Sequence, residues 1–225
     1  MIPIEICAQS IESVWVANAN PIHRIELCAA LETGGLTPSY GLIKMAREVF
    51  QKPIFVLIRP RVGDFCYSQT EIAVMKEDIL FCKKMGMEGI VVGALNLDNT
   101  IDVPSMKRFI EWARPMDVVF HRAFDRLHEF ENALETLIGL GVKRILTSGQ
   151  APDALQGIQN LQKIMNLARG RIEMMVGGGI TSENVAQIVS EVHPDAIHFS
   201  AKKAVAPQRS ESDSAEIQKI IQQIA

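Results

Sequence analysis

Eight short apolar runs recur along this chain of 225 residues, and each is followed by a segment with helical periodicity. The runs cover residues 3–10, 23–30, 53–60, 89–95, 117–124, 144–149, 171–179 and 196–201. Strands that alternate with helices pair in parallel through right-handed crossovers. Eight such units predict an α/β fold, a single-domain (β/α)8 TIM-type barrel over residues 1–225. The alternative is a doubly wound open sheet, but no strong dinucleotide fingerprint follows the first strand.

The segments between the strands have the apolar periodicity of amphipathic helices. They cover residues 10–20, 38–50, 68–85, 103–114, 129–140, 153–168, 182–192 and 213–225. Ser68 and Glu71 have the spacing of a capping box, which predicts a helix start at that point. The stretch 202–214 has no clear pattern, so we expect a mobile loop between the last strand and the last helix.

Composition excludes several classes of function. A net charge of −3 gives no general attraction to nucleic acid or to acidic membranes. No apolar run approaches the roughly 20 residues that a membrane-spanning helix needs. The first strand begins almost at once, which predicts that there is no signal peptide. Four cysteines without a CxxC spacing predict reduced thiols in a cytoplasmic protein.

The barrel interior is predicted to be charged. Strand residues alternate between the two faces of a sheet. In each strand, one set of alternate residues is apolar and suits the face that packs against the helices, so the other set faces the barrel interior. Five ionisable residues are thereby directed inward: Glu5, Glu26, Arg59, His121 and His198. Burying charge without a partner is costly, so these residues are candidate catalytic groups. The alternative is an ion-pair network that only fills the barrel.

Glu5 and Glu26 lie on adjacent predicted strands, and two neighbouring carboxylates cannot both ionise freely without a cation or a proton between them. We expect Arg59 to pair with Glu26. A raised pKa at Glu5 would make it a general acid or base. Loop charges after the third and fifth strands extend the predicted pocket: Arg61, Asp64, Arg122 and Asp125.

Two cysteines occupy matching places on neighbouring strands. Cys7 and Cys28 each follow an inward glutamate by two residues, so both are predicted near the upper mouth of the barrel. Paired thiolates suit a soft monovalent ion such as Cu(I). The alternative is that both behave as small buried hydrophobes. Cys66 in the following loop could join them, whereas Cys82 is expected in the core.

A glycine triplet ends the seventh strand. Barrels often hold phosphate with the loops after strands seven and eight, through backbone amides that glycine leaves accessible. The predicted anion-binding residues are Ser148, Gly177, Gly178, Gly179 and Ser200. The alternative is a tight turn that requires a positive φ.

The chain resembles the CutC family, which is named for copper homeostasis and is unrelated to the choline-cleaving enzyme of the same name. The resemblance covers residues 3–201 and rests on Glu5-Ile-Cys7, Arg24-Ile-Glu-Leu-Cys28, Ile58-Arg-Pro-Arg61, Phe120-His-Arg-Ala-Phe-Asp125, Ile145-Leu-Thr-Ser-Gly149 and Gly177-Gly-Gly-Ile180. The resemblance implies a TIM-type barrel, a cytoplasmic location and a copper-related role through Cys7 and Cys28. It also implies a homo-oligomer, for which we expect a dimer. Val62 replaces a glycine that the family usually has, which could alter the loop that holds Asp64.

Two functions follow as expectations. The first is a copper homeostasis protein that binds Cu(I) through Cys7 and Cys28, with no organic cofactor. The second is an enzyme of unknown reaction that acts on a small phosphorylated or carboxylated metabolite at the barrel mouth. Whether the chain is an enzyme stays open at this point, as does a third possibility, a scaffold with an open cleft and no ligand.

Overall fold

The computed structural model describes residues 2–206 and 209–224, and it contains a closed barrel of eight parallel strands in chain order, as predicted. The strands are β1 (Ile4–Ala8), β2 (Arg24–Leu27), β3 (Ile54–Leu57), β4 (Gly89–Val92), β5 (Asp117–Phe120), β6 (Arg144–Thr147), β7 (Glu173–Gly177) and β8 (Ala196–Phe199). The helices are α1 (Ile11–Asn18), α2 (Tyr40–Val49), α3 (Gln69–Lys84), α4 (Val103–Ala113), α5 (Phe130–Leu140), α6 (Ile158–Ala168), α7 (Val185–Val192) and α8 (Ser214–Gln223). Each barrel strand is followed by a helix, so the structure confirms the TIM-type barrel over an open sheet.

The barrel closes where β1 pairs with β8. Glu5 lies opposite Arg24 on β2 and opposite His198 on β8 in the strand register. Cys7 lies opposite Glu26. The register therefore brings an acid, a base and a thiol together at the seam between the first and last strands.

Two apolar clusters fill the fold. The larger lies between the strands and the helix layer, and the smaller lies inside the barrel. The inner cluster consists of Cys7, Cys28, Phe55, Leu57, Val91, Val119, Leu146, Met175 and Ala196. Because the two clusters take alternate strand residues, the predicted inward and outward faces are confirmed. None of the helices in residues 2–206 and 209–224 has the length and apolarity that a bilayer crossing requires.

Helix starts follow local side-chain chemistry. Ser68 and Glu71 form the capping box that the sequence predicts, and α3 begins at Gln69, directly after the N-cap residue Ser68. By contrast, α6 begins five residues later than expected, at Ile158. The Asp153 carboxylate accepts a hydrogen bond from the Gln156 amide at 2.9 Å, and the Asp153 carbonyl oxygen accepts one from the Gly157 amide at 3.1 Å, so residues 153–157 form a separate turn before the helix.

Within the described residues of the stretch 202–214, the expectation of a loop is wrong; residues 207 and 208 of that stretch lie outside the described residues. Strands β9 (Lys202–Ala206) and β10 (Arg209–Ser212) pair antiparallel as a two-stranded sheet beside the barrel. The Gln9 amide donates to the Ser210 carbonyl oxygen at 3.1 Å, and the Ser212 amide donates to Ser13 Oγ at 3.0 Å. These bonds attach β10 to the first strand–helix unit.

We predict that Gly157→Ala destabilises the protein by about 1 to 3 kcal/mol, because it overpacks the turn before α6. A Cβ atom at Gly157 would lie 1.8 Å from the carbonyl oxygen of Ser148. Gly139→Ala is the matched control: nothing lies within 4 Å of its added carbon, and removing a glycine from inside α5 should stabilise by about 1 kcal/mol. Denaturant unfolding of both variants measures the difference, and a Gly157→Ala protein as stable as Gly139→Ala would contradict the packing.

Candidate functional site

An ion-pair network occupies the barrel near the N-terminal ends of its strands. Arg24 Nε donates to Glu5 Oε2 at 2.7 Å, and Arg24 also donates to Glu173 at 2.9 Å. Arg144 donates to the other Glu173 oxygen at 3.0 Å. For Glu5, the structure therefore supports the alternative of a charge network inside the barrel. Arg144 and Glu173 were not predicted, although Arg144 alternates with the inward Leu146 along β6.

His198 lies between two carboxylates. Its Nδ1 is 2.8 Å from Glu5 Oε1, and its Nε2 is 3.2 Å from Glu26 Oε2. Burial alone would lower the pKa of His198, but the hydrogen bond to Glu5 and the charges of Glu26 and Glu5 raise it. Because both ring nitrogens face acceptors, the arrangement favours the doubly protonated imidazolium.

The pKa values of Glu5 and Glu26 shift in opposite directions. The expectation of a raised pKa at Glu5 is wrong. Burial would raise the pKa of Glu5, but the hydrogen bond and charge of His198, with Arg24 and Arg144, lower it from 4.5 to about 2. Burial raises the pKa of Glu26, and the nearby charge of Glu5 adds to that effect. Glu26 is therefore the better candidate for proton exchange.

Arg59 does not pair with Glu26, contrary to expectation. Its guanidinium donates to the carbonyl oxygens of Gly35 and Gly63, both at 2.9 Å, and to that of Thr33 at 3.2 Å. Its long side chain reaches over the loop after β2 instead of across to the neighbouring strand. Within residues 2–206 and 209–224, no carboxylate forms an ion pair with Arg59.

His121 is a neutral hydrogen-bond donor. Its Nδ1 accepts from the Ala123 amide at 3.1 Å, which assigns the ring proton to Nε2. Burial and the charge of Arg59 lower the pKa of His121 from 6.5 to about 3. Its Nε2 atom is buried and has no partner among the described residues. The ring packs on Phe65 with centroids 4.7 Å apart.

The two predicted thiols meet. Cys7 Sγ and Cys28 Sγ are 3.5 Å apart, and neither residue is in a disulfide. The hydrogen bond with Cys28, together with burial, raises the pKa of Cys7 well above its usual range. Cys66 is half-buried in the loop after β3 and does not line the same cavity, whereas Cys82 is buried in α3 as expected.

The loop charges divide into two groups. Arg61 donates to Asp64 at 2.9 Å and also contacts Glu71, so this group stabilises the loop after β3. Val62 is half-exposed and does not prevent these contacts. Arg122 faces the barrel mouth and is held by Asp125 at 2.8 Å and by Ser148 Oγ at 2.6 Å.

A cavity of about 670 Å³ lies at the C-terminal mouth of the barrel. Ten of the predicted residues line it: Cys7, Glu26, Cys28, Arg59, His121, Arg122, Gly178, Gly179, His198 and Ser200. The other six lie outside its lining: Glu5, Arg61, Asp64, Asp125, Ser148 and Gly177. Phe65, Lys202 and Lys203 also line it. Phe65 was missed because it lies in a loop, where no strand alternation applies. Lys203 was missed because β9 is exposed at every residue and so has no apolar pattern.

The three glycines at the end of β7 have different structural roles. Gly178 and Gly179 have φ of 106° and 70°, so the tight-turn alternative applies to both. Gly177 ends β7, where an added Cβ would lie 2.7 Å from a methyl carbon of Leu146. Its small size therefore serves packing inside the barrel. Gly178 and Gly179 still border the cavity, where their backbone can approach a ligand.

Comparison with known proteins identifies close relatives. The model of the CutC family matches residues 2–203. The family protein CutC of Glaesserella parasuis is 46% identical over 199 residues, covering 88% of this chain and 82% of that protein. A human protein named copper homeostasis protein cutC homolog is 44% identical over 199 residues, covering 88% and 73%. The crystal structure of CutC from Streptococcus agalactiae superposes with a TM-score of 0.85 at 34% identity, covering 88% and 98%.

More distant structures share only the fold. N-(5'-phosphoribosyl)anthranilate isomerase from Pyrococcus furiosus has a TM-score of 0.64 at 14% identity, covering 99% of this chain and 98% of the isomerase. At that identity, the likeness establishes the barrel architecture and carries no statement about the reaction.

We predict that Glu5→Gln destabilises the protein by about 3 kcal/mol at neutral pH, because Arg24 and His198 lose a buried partner. The folded-state pKa of about 2 lies below the ordinary 4.5, so the stabilisation from Glu5 is present above pH 4.5 and lost as the pH falls towards 2. The difference in unfolding free energy between the variant and the wild type should therefore become smaller as the pH falls.

Denaturant midpoints at neutral pH and at about pH 3 measure that gap. Glu135→Gln is the control, because Glu135 pairs with Arg171 on the exposed surface and should change neither midpoint. A gap for Glu5→Gln that is equal at both pH values would argue against an ionised Glu5.

Proposed function

This chain belongs to the CutC family, and on that premise we propose that it acts in copper homeostasis by binding Cu(I) in the cytoplasm, between the thiolates of Cys7 and Cys28. The observation that carries this proposal is the pair of sulfur atoms 3.5 Å apart at the wall of an open cavity. Thiolates select Cu(I) because both ligand and ion are soft. The name of the human relative agrees with a role in copper homeostasis.

The neighbouring carboxylate and imidazole groups already bond to one another, which favours a sulfur pair over a mixed site. Cys7, Glu26 and His198 offer ligand atoms within 4.8 Å of one another, a set that a divalent ion such as zinc would accept. However, His198 bonds to Glu5 through one nitrogen and to Glu26 through the other. A divalent ion would have to break this bridge, whereas Cu(I) needs only the two thiols.

We predict that the reduced protein binds about one Cu(I) per chain and that Cys28→Ser abolishes this stoichiometric binding, because one of two ligands is removed. Competition with a chromophoric Cu(I) chelator measures the affinity. Each thiol must lose its proton, so the affinity should rise with pH. Cys66→Ser, in the loop, should bind as the wild type does. Unchanged affinity in Cys28→Ser would refute the thiol pair.

A second candidate function is an enzyme, and the bridge of Glu5, His198 and Glu26 favours it. Glu26 and His198 border the cavity, whereas Glu5 lies behind them and fixes the imidazole ring. A carboxyl group with a raised pKa beside a charged imidazole is suited to moving a proton to or from a bound metabolite. The C-terminal mouth of the barrel is where this fold places its active sites.

For this second function we predict turnover of at least one member of a mixture of phosphorylated and carboxylated metabolites, observed by NMR in deuterated water. Glu26→Gln should reduce turnover by about a hundredfold or more, since the proton-transfer group is lost. Glu48→Gln, on the exposed face of α2, is the control and should leave turnover unchanged. A mixture that stays unaltered, or equal turnover in both variants, would contradict the proposal.

A further inference from the structure

We infer that Arg59 and His121 form a binding site for an oxyanion, the carboxylate or phosphate group of a small metabolite, in the wall of the cavity. This site uses residues other than the thiol pair and the Glu26–His198 bridge. It rests on the enzyme candidate only where the bound anion is taken to be a substrate. As an anion-binding site it stands on its own contacts.

The first observation is a buried charge without a counter-ion. Arg59 is 6% exposed, and its partners are the backbone carbonyl oxygens of Thr33, Gly35 and Gly63. Carbonyl groups satisfy its donors but do not neutralise its charge. Burying a cation is costly unless an anion is close, and the described residues supply none in an ion pair. An anionic ligand would supply that charge.

The second observation is a pair of unused donors. Arg59 Nε and His121 Nε2 are both buried and have no hydrogen-bond partner among the described residues. Both residues line the cavity. Since the Ala123 amide occupies Nδ1 of His121, its Nε2 carries the proton and can only donate. Two donors without acceptors are the complement of an oxyanion.

Phe65 fixes both donors on one side of the cavity. The guanidinium carbon of Arg59 is 5.1 Å from the centre of the Phe65 ring, and the His121 ring is 4.7 Å away. On its other side, the Arg59 guanidinium is confined by the loop after β2, since a Cβ at Gly34 would lie 3.2 Å from Arg59 Nη1. The donors are therefore already oriented before a ligand enters, which reduces the entropy lost on binding.

The size and charge of the cavity identify the class of ligand. A volume of about 670 Å³ suits a small molecule. The lining contains four basic side chains, Arg59, Arg122, Lys202 and Lys203, and three acidic ones, Glu26, Asp213 and Glu216. Arg122 pairs with Asp125, Glu26 contacts the imidazole of His198, and Glu216 accepts two hydrogen bonds from Ser182. A small anionic metabolite fits these properties better than a neutral one.

The test is a titration of the ¹⁵N-labelled protein with inorganic phosphate and, separately, with malonate. We expect saturable binding of at least one anion, with a shift of the His121 Nε2–H signal. Arg59→Gln should weaken binding by at least about tenfold, because a charge-assisted hydrogen bond is lost. Arg171→Gln removes the same charge at an exposed ion pair and should bind as the wild type does.

A second variant covers the case in which Arg59→Gln does not fold. His121→Asn places an amide oxygen where Nδ1 accepts from Ala123 and removes the Nε2 donor, so it should also weaken binding. Anion binding retained by the Cys7→Ser, Cys28→Ser protein would separate this site from copper binding, and binding without turnover would separate it from the enzyme candidate. Failure of both anions to bind, or equal binding by Arg59→Gln and Arg171→Gln, would overturn the inference.

Discussion

The structure depends on the neutralisation of one buried carboxylate. Glu5 is 1% exposed, and it contacts Arg24 on β2 and His198 on β8 at 2.7 and 2.8 Å. The contact with His198 crosses the seam where the first and last strands close the barrel, and the contact with Arg24 joins the first strand to the second. Because the same carboxylate holds the ring of His198, the interaction that closes the barrel also directs a charged imidazole towards the cavity. Fold and candidate site thus share one electrostatic requirement.

The charged residues inside the barrel lie at two levels, one near the N-terminal strand ends and one near the mouth. The interpretation as an ion-pair network applies to the first level, and the interpretation as a functional site applies to the second. Near the N-terminal strand ends, Glu5, Arg24, Arg144 and Glu173 neutralise one another and need no ligand. Nearer the mouth, the charge of Arg59 has no such balance among the described residues. A barrel interior built only for packing would be apolar or fully paired. The difference between the levels therefore locates the functional chemistry at the mouth.

The sequence patterns predicted which way strand side chains point better than they predicted which groups those side chains contact. Period-two alternation directed Cys7 and Cys28 inward because each strand has one buried apolar face. Alternation cannot predict how far a long side chain reaches, so Arg59 was expected at Glu26 although loop carbonyl groups bind it. The opposite pKa shifts of Glu5 and Glu26 depend on neighbours that are far away in sequence, such as His198 on β8. The two-stranded sheet of β9 and β10 was missed because β9 is exposed along its whole length and so has no apolar pattern.

The two candidate functions draw on different parts of one cavity wall. The thiols come from β1 and the residue after β2, whereas Arg59 and His121 follow β3 and β5. A Cu(I) ion held by two thiolates leaves one net negative charge, which the nearby imidazolium of His198 would stabilise. Copper binding therefore explains the sulfur pair and is compatible with His198. It gives no role to the unpartnered Nε2–H of His121, a neutral donor whose natural complement is an oxygen acceptor.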